Sequence, residues 1–133
     1  MLDPTYGHCY LYYAAPLDYL SARSACTATA GFHLARIETA NEQPLIAGLV
    51  GTTAIAWIGG NDLAAEGVYV WDDGSLIQLT SWNAMEPNNG QGMFEEDCIT
   101  INGPAGGRWD DRPCNATITT LVPGEYGYVC ERD

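Results

Sequence analysis

From Asp72 to about Glu96 the chain runs for about 25 residues with Pro, Gly and Asn throughout and no sustained apolar periodicity. So long an irregular stretch has no core of its own, and something other than side-chain burial must order its backbone. Acidic residues gather in the same part of the chain. Between Asp62 and Asp111 stand ten Asp and Glu (62, 66, 72, 73, 86, 95, 96, 97, 110 and 111) against a single base, Arg108. A hard divalent cation collects oxygen ligands of this kind and can order backbone that lacks a core. The plain alternative is an acidic face balanced by solvent counterions.

The rest of the composition narrows the class. A length of 133 residues fits one domain, 1–133, and 47% hydrophobic with 11% aromatic residues is a globular composition. No apolar run approaches 18 residues and the opening Met-Leu-Asp-Pro is not a secretory leader, so no membrane insertion is expected. The formal net charge is −12, with no lysine and five arginines, which argues against nucleic acid as a partner. Cysteines stand at 9, 26, 98, 114 and 130 without a CxxC pair or Cys/His clustering, a spacing that argues against a cysteine-based zinc site. In an oxidising compartment four of them would pair and one would be left over, and spacing alone leaves the connectivity open.

Local patterns predict an α+β chain with two helices and small antiparallel sheets. Strands are expected over 6–13, 33–37, 54–59, 68–71, 97–101, 107–109 and 126–130. A first helix is expected from Pro16 to Ala30, stopped by Gly31, and a second opens on the capping-box pattern Thr39-Ala40-Asn41-Glu42 and reaches about Val50. Trp57, Trp71 and Trp82 read as core, and Trp109 as packing beneath the acidic region. His8 and His33 lie outside that region and acquire no role from the sequence.

An ordered series of short motifs then carries a resemblance. Ala25-Cys26, Gly31 to Ile37, Glu42, Trp57-Ile58-Gly59-Gly60, Asp62 with Glu66-Gly67, and Trp71-Asp72-Asp73-Gly74 are followed by Trp82 and Glu86-Pro87-Asn88. Glu96-Asp97-Cys98, Trp109-Asp110-Asp111, Cys114 and Tyr128-Val129-Cys130-Glu131 complete the series. In this order, from about Tyr6 to Arg132, the chain resembles a C-type lectin-like domain. The resemblance implies that fold, with a long loop region ordered by calcium and disulfides Cys26–Cys130 and Cys98–Cys114. Cys9 is then unpaired within the chain, because its counterpart in longer members joins a cysteine about ten residues upstream.

The same resemblance implies the site. A principal Ca2+ would be held by Glu86, Asn88, Glu96, Asp110 and Asp111, and the family's cis proline would turn Glu86 and Asn88 to the same side. This ion ligates two adjacent sugar hydroxyls directly, and Glu-Pro-Asn is similar to the mannose-type motif, which implies mannose, glucose, N-acetylglucosamine or fucose. A second, weaker structural Ca2+ would use Asp62, Glu66, Asn89 and Asp97, with Asn89 neutral where strong binders carry Asp. One departure bears on the sugar: Asp110 stands where the family has Asn, and an ionised carboxylate cannot donate the hydrogen bond an amide would. Met93 and Phe94, in an insertion after Asn88, stand at the rim of this site.

The expected partners are therefore glycans or monosaccharides, bound outside the cell and without catalysis. A metal-dependent hydrolase would need a base beyond the ligating carboxylates, and none is evident. The alternative is a calcium-stabilised domain for protein adhesion or for ice, with no sugar activity. An oligomer or a larger multidomain parent would supply avidity. Asn115-Ala116-Thr117 is an N-glycosylation sequon.

Overall fold

The computed structural model describes residues 7–84, 86, 98–114 and 126–133. Pro87, Asn88, Asn89, Met93, Phe94, Glu96, Asp97 and the sequon at Asn115 lie outside these described residues.

β-Branched and aromatic runs form the strands expected of them, with shifted ends. In chain order the elements are β1 (Cys9–Tyr13), α1 (Tyr19–Thr27), β2 (Phe32–Leu34), α2 (Glu42–Val50) and β3 (Ile55–Asn61). They continue with β4 (Val70–Trp71), β5 (Cys98–Asn102), a 3-10 turn (Gly103–Ala105), β6 (Arg108–Arg112) and β7 (Tyr126–Arg132). The first helix is shorter than its apolar pattern suggests, because Asp18 rather than Pro16 opens it: the Asp18 carboxylate accepts from the Ser21 amide at 2.9 Å. Of the predicted capping box, half is formed. Glu42 Oε1 accepts from the Thr39 amide at 3.0 Å, but the Thr39 hydroxyl donates to that same oxygen at 3.2 Å instead of capping the helix.

The strands make one mixed sheet in the order β1-β7-β3-β5-β6, with β2 on β7 and β4 on β3. The expected small antiparallel sheets are thus a single sheet containing one parallel pair, β3 with β7, in register Ile55↔Tyr126 to Trp57↔Tyr128. The reason is long range: β7 arrives from the far end of the chain and enters between β1 and β3, which no local pattern encodes.

Two apolar clusters cover the two faces. Alternation along β3 sends Ile55 and Trp57 to the α1 side, with Tyr19, Ala22, Tyr126 and Tyr128, and Ala56 and Ile58 to the α2 side, with Ile46, Val50, Ile99 and Ile101. All seven residues of β3 are consequently buried. Trp57 anchors its face further by donating its indole N–H to the Leu17 carbonyl at 2.8 Å.

Both implied disulfides are present. Cys26–Cys130 ties α1 to β7 across 104 residues and Cys98–Cys114 closes a span of 16 residues. Loop-closure entropy gives about 4–5 kcal/mol for the first and about 3 kcal/mol for the second. Cys9 is a free thiol.

The end of β5 is tightly fitted at Gly103, where an added Cβ would lie 2.4 Å from the Gly51 carbonyl oxygen and 2.5 Å from that of Ala54. Neither oxygen can rotate away, so Gly103→Ala is expected to destabilise the domain by about 1–3 kcal/mol in urea titration followed by tryptophan fluorescence.

Candidate functional site

The β6 edge of the sheet carries the acidic residues singled out by sequence. The strand extends through Arg112, beyond its predicted end at Trp109, so Asp110 and Asp111 are strand residues with fixed and opposite directions. Both are buried, Asp110 at 4% and Asp111 at 1% exposure.

Glu86 reaches this edge by backbone pairing. Trp82 forms a parallel bridge with Trp109, in which the Trp109 amide donates to the Ser81 carbonyl at 2.8 Å and the Asn83 amide donates to the Trp109 carbonyl at 2.8 Å. A turn follows, closed by the Glu86 amide on the Asn83 carbonyl at 3.0 Å. Beneath it the rings of Tyr69, Trp71, Trp82 and Trp109 meet edge to face at centroid separations of 5.1 to 5.8 Å. The aromatic floor fixes where the segment crosses β6, and the crossing delivers the Glu86 carboxyl to Asp111.

Electrostatics record that convergence. Burial first, then the hydrogen-bonded carboxyl of Asp111 and the charge of Asp110, push the Glu86 carboxyl up to about 8. Two carboxyl groups drawn together this closely hold a proton between them, and a hard divalent ion satisfies the same arrangement without one. The donor set among the described residues is all oxygen and anionic, which suits calcium.

Tyr69 is a site residue that the sequence reading missed. Its hydroxyl donates to Asp111 Oδ2 at 3.1 Å, and burial followed by the charges of Asp111, Asp62 and Glu66 pushes its ionisation far above the usual phenol range. Tyr69 therefore stands between the two groups of acids expected to form two separate ion sites. Its only sequence signal was its place just before β4. Asp62 is buried and accepts from the Gly67 amide at 2.8 Å, which closes the turn that carries exposed Glu66.

Asp110 is placed differently from Asp111. Its Oδ2 accepts from the Asn102 amide at 2.6 Å and from the Arg112 guanidinium at 2.9 Å, two donors on its own side of β6. The charge that replaces the expected amide is thus neutralised within the strand. Of the predicted site residues, the described part brings Glu86, Asp110 and Asp111 to one edge, with Asp62 and Glu66 beside them across Tyr69.

A family model described as Lectin C-type domain matches residues 15–122. The chain belongs to the C-type lectin domain family. It is 36% identical over 119 residues to C-type mannose receptor 2 of Mus musculus, covering 90% of this chain and 8% of that protein. It is 34% identical over 135 residues to the alpha-N-acetylgalactosamine-specific lectin of Patiria pectinifera, covering 94% of this chain and 74% of that lectin. Among solved structures, the mouse scavenger receptor C-type lectin carbohydrate-recognition domain superposes with a TM-score of 0.81 at 25% identity, covering 95% of this chain and 88% of that one. A calcium-independent type II antifreeze protein superposes with a TM-score of 0.77 at 26% identity, over 94% of this chain and 85% of that one. This C-type lectin domain spans only 8% of the length of the mannose receptor relatives from mouse, human and rat. Among its described residues no helix is long and apolar enough to cross a membrane.

If Asp111 ligates calcium, as the resemblance implies, Tyr69→Phe is expected to weaken that binding about tenfold while leaving the fold intact, because the Tyr69 hydroxyl holds Asp111 from behind. Calcium titration monitored by the fluorescence of the neighbouring Trp82 and Trp109 provides the measurement, with the circular dichroism spectrum as the check on folding.

Proposed function

We propose that this domain is a calcium-dependent carbohydrate-binding module acting outside the cell. The observation that carries the reading is the seating of the Glu86 carboxyl against Asp111 at the β6 edge, imposed by the Trp82–Trp109 crossing. In this reading Glu86, Asn88, Glu96, Asp110 and Asp111 hold a principal calcium ion. Asp62, Glu66, Asn89 and Asp97 hold a second and weaker one, and Tyr69 braces the boundary between them. When bound, the principal ion supplies two coordination positions to vicinal hydroxyls of a mannose-type sugar, and the surrounding carboxylates accept hydrogen bonds from the same hydroxyls. The lectin relatives support this reading. The two disulfides favour an oxidising, extracellular setting.

No catalytic step is assigned, since the carboxylates at the proposed ion sites are taken up as ligands and no nearby His, Ser or Cys offers a nucleophile. A single shallow site of this kind gives about millimolar affinity for a monosaccharide, so several copies in an oligomer or a multidomain parent would provide useful avidity.

One observation favours a second reading, adhesion to protein or ice with calcium purely structural. Asp110, paired to Asn102 and Arg112, is a carboxylate where a sugar hydroxyl needs an N–H donor. The structural likeness to a Ca2+-dependent type II antifreeze protein, with a TM-score of 0.80 at 25% identity, supports the ice-binding form of this reading.

A glycan array run with calcium and with a chelator separates the two. Calcium-dependent signal on mannose-type glycans is expected, and calcium binding by a domain that ignores every glycan would instead establish the second reading. On the same array Glu86→Ala is expected to abolish the signal and to lower calcium affinity at least about tenfold, because it removes a charged ligand. Asp110→Asn restores an amide donor and is expected to raise mannose affinity about threefold to tenfold by isothermal titration, the worth of one hydrogen bond. Unchanged or weaker mannose binding would remove Asp110 from the sugar-contacting role.

A further inference from the structure

The opposite edge of the sheet holds a second group of metal-competent side chains, unrelated to the acidic region. In the antiparallel ladder of β1 and β7, Cys9 pairs with Arg132 and Tyr10 with Glu131, so continuation by one residue sets His8 opposite Asp133. On the other edge of β7, β2 pairs His33 with Glu131. Residues that face one another across a ladder share a face, and both histidines of the chain thereby arrive beside the same two carboxylates.

The distances are those of a ligand cage. His8 Nδ1 lies 2.6 Å from Glu131 Oε2, 3.7 Å from Asp133 Oδ1 and 3.8 Å from Glu42 Oε2. Nδ1 of His8 and one carboxylate oxygen each from Glu131 and Asp133 all lie within 4.8 Å of one another. Ligand atoms around a tetrahedral zinc ion, each about 2.0–2.2 Å from the metal, stand about 3.3 Å apart, so only small movements are required. The elements that supply these atoms are rigid: Glu131 is fully buried, and its Oε1 accepts from the Arg36 amide at 2.8 Å. Glu42 is held by Tyr10 and by the Glu38 and Thr39 amides.

Asp133 is held from a second side by hydrogen bonds. His33 Nδ1 donates to the Leu34 carbonyl at 2.7 Å. His33 Nε2 is hydrogen-bonded with Asp133 Oδ1 at 3.1 Å and lies 2.8 Å from Arg36 Nη2. The Arg36 guanidinium bonds Asp73 and lies 3.4 Å from Asp133 Oδ2.

We propose that His8 Nδ1, Glu131 and Asp133 form a zinc-binding site at the β1–β7 edge, with the fourth position open to water. His33 and Arg36 orient Asp133 from behind, in the manner of groups that support metal-bound carboxylates. The mixture of one imidazole and two carboxylates, with an open position, suits zinc; calcium takes six to eight oxygens. His8 and Asp133 are partly exposed, at 24% and 54%, which leaves the site open to an ion arriving from solvent. The ion would clasp the start of β1 to the end of β7, in addition to their ladder and the Tyr13–Tyr128 ring stacking at its other end.

The test uses the full chain carrying Cys9→Ser, which removes the adjacent thiol as a zinc ligand, in saturating calcium to fill oxygen-only sites. Isothermal titration with zinc chloride is expected to show one ion per chain. His8→Ala and Asp133→Asn are each expected to reduce affinity at least tenfold without moving the thermal midpoint of the zinc-free protein. With only two histidines, 15N-labelled imidazole spectra report directly: zinc should shift the His8 Nδ1 resonance strongly and that of His33 weakly. Unaltered zinc affinity in His8→Ala would overturn the proposal. So would the absence of any zinc uptake when calcium is present, or a zinc-induced shift confined to His33.

Discussion

The structure depends on the entry of β7 into the middle of the sheet. This strand pairs with β1 on one edge, with β3 and then β2 on the other, and is bolted to α1 by Cys26–Cys130. Its insertion joins the two ends of the described chain and makes β3 an interior strand, hydrogen-bonded on both edges. With β3 fixed, β5 and β6 stack outward from it and the acidic residues of β6 come to a defined edge. The parallel β3–β7 pair needs a crossover that no short turn can provide. The disulfide spanning 104 residues offsets the entropy of closing so long a loop.

Charge is then handled in two ways on one sheet. At the β6 edge, Glu86 is brought against Asp111 by an aromatic crossing, and the carboxyls are crowded rather than paired with bases. Asp110, one residue away but facing its own donors, is ion-paired with Arg112 and accepts a hydrogen bond from the Asn102 side chain. Strand alternation is what separates these two fates. With a net charge of −12, crowding of the first kind has a standing electrostatic cost, which raises the Glu86 carboxyl.

Much of the fold could be read directly. The Trp-Ile-Gly-Gly strand, the second helix and the buried Trp57 and Trp71 match their patterns, because burial and alternation leave a local periodic trace. The site was legible as a set of acids, but its construction was not. Tyr69 looked like one more aromatic at a strand start, and its bond to Asp111 spans 42 residues. Asp110 stood out in the sequence only as a carboxylate in place of an amide; its pairing with Asn102 and Arg112 depends on the strand continuing through it. His8 and His33 carried no motif at all, since their meeting at Glu131 and Asp133 is a matter of register between strands separated by nearly the whole chain.

What the amino-acid sequence by itself determined is the kind of chain: an α+β domain rich in oxygen ligands and poor in bases, whose ordered motifs resemble the C-type lectin family and through that resemblance imply its two disulfides. Composition, periodicity and motif order are properties of the chain read along its length. Only the tertiary structure decided which acids meet, which are neutralised and which histidines they face. Those outcomes rest on ladder register and on the β7 crossover, and a shift of one residue in either would turn every one of these side chains to the other face.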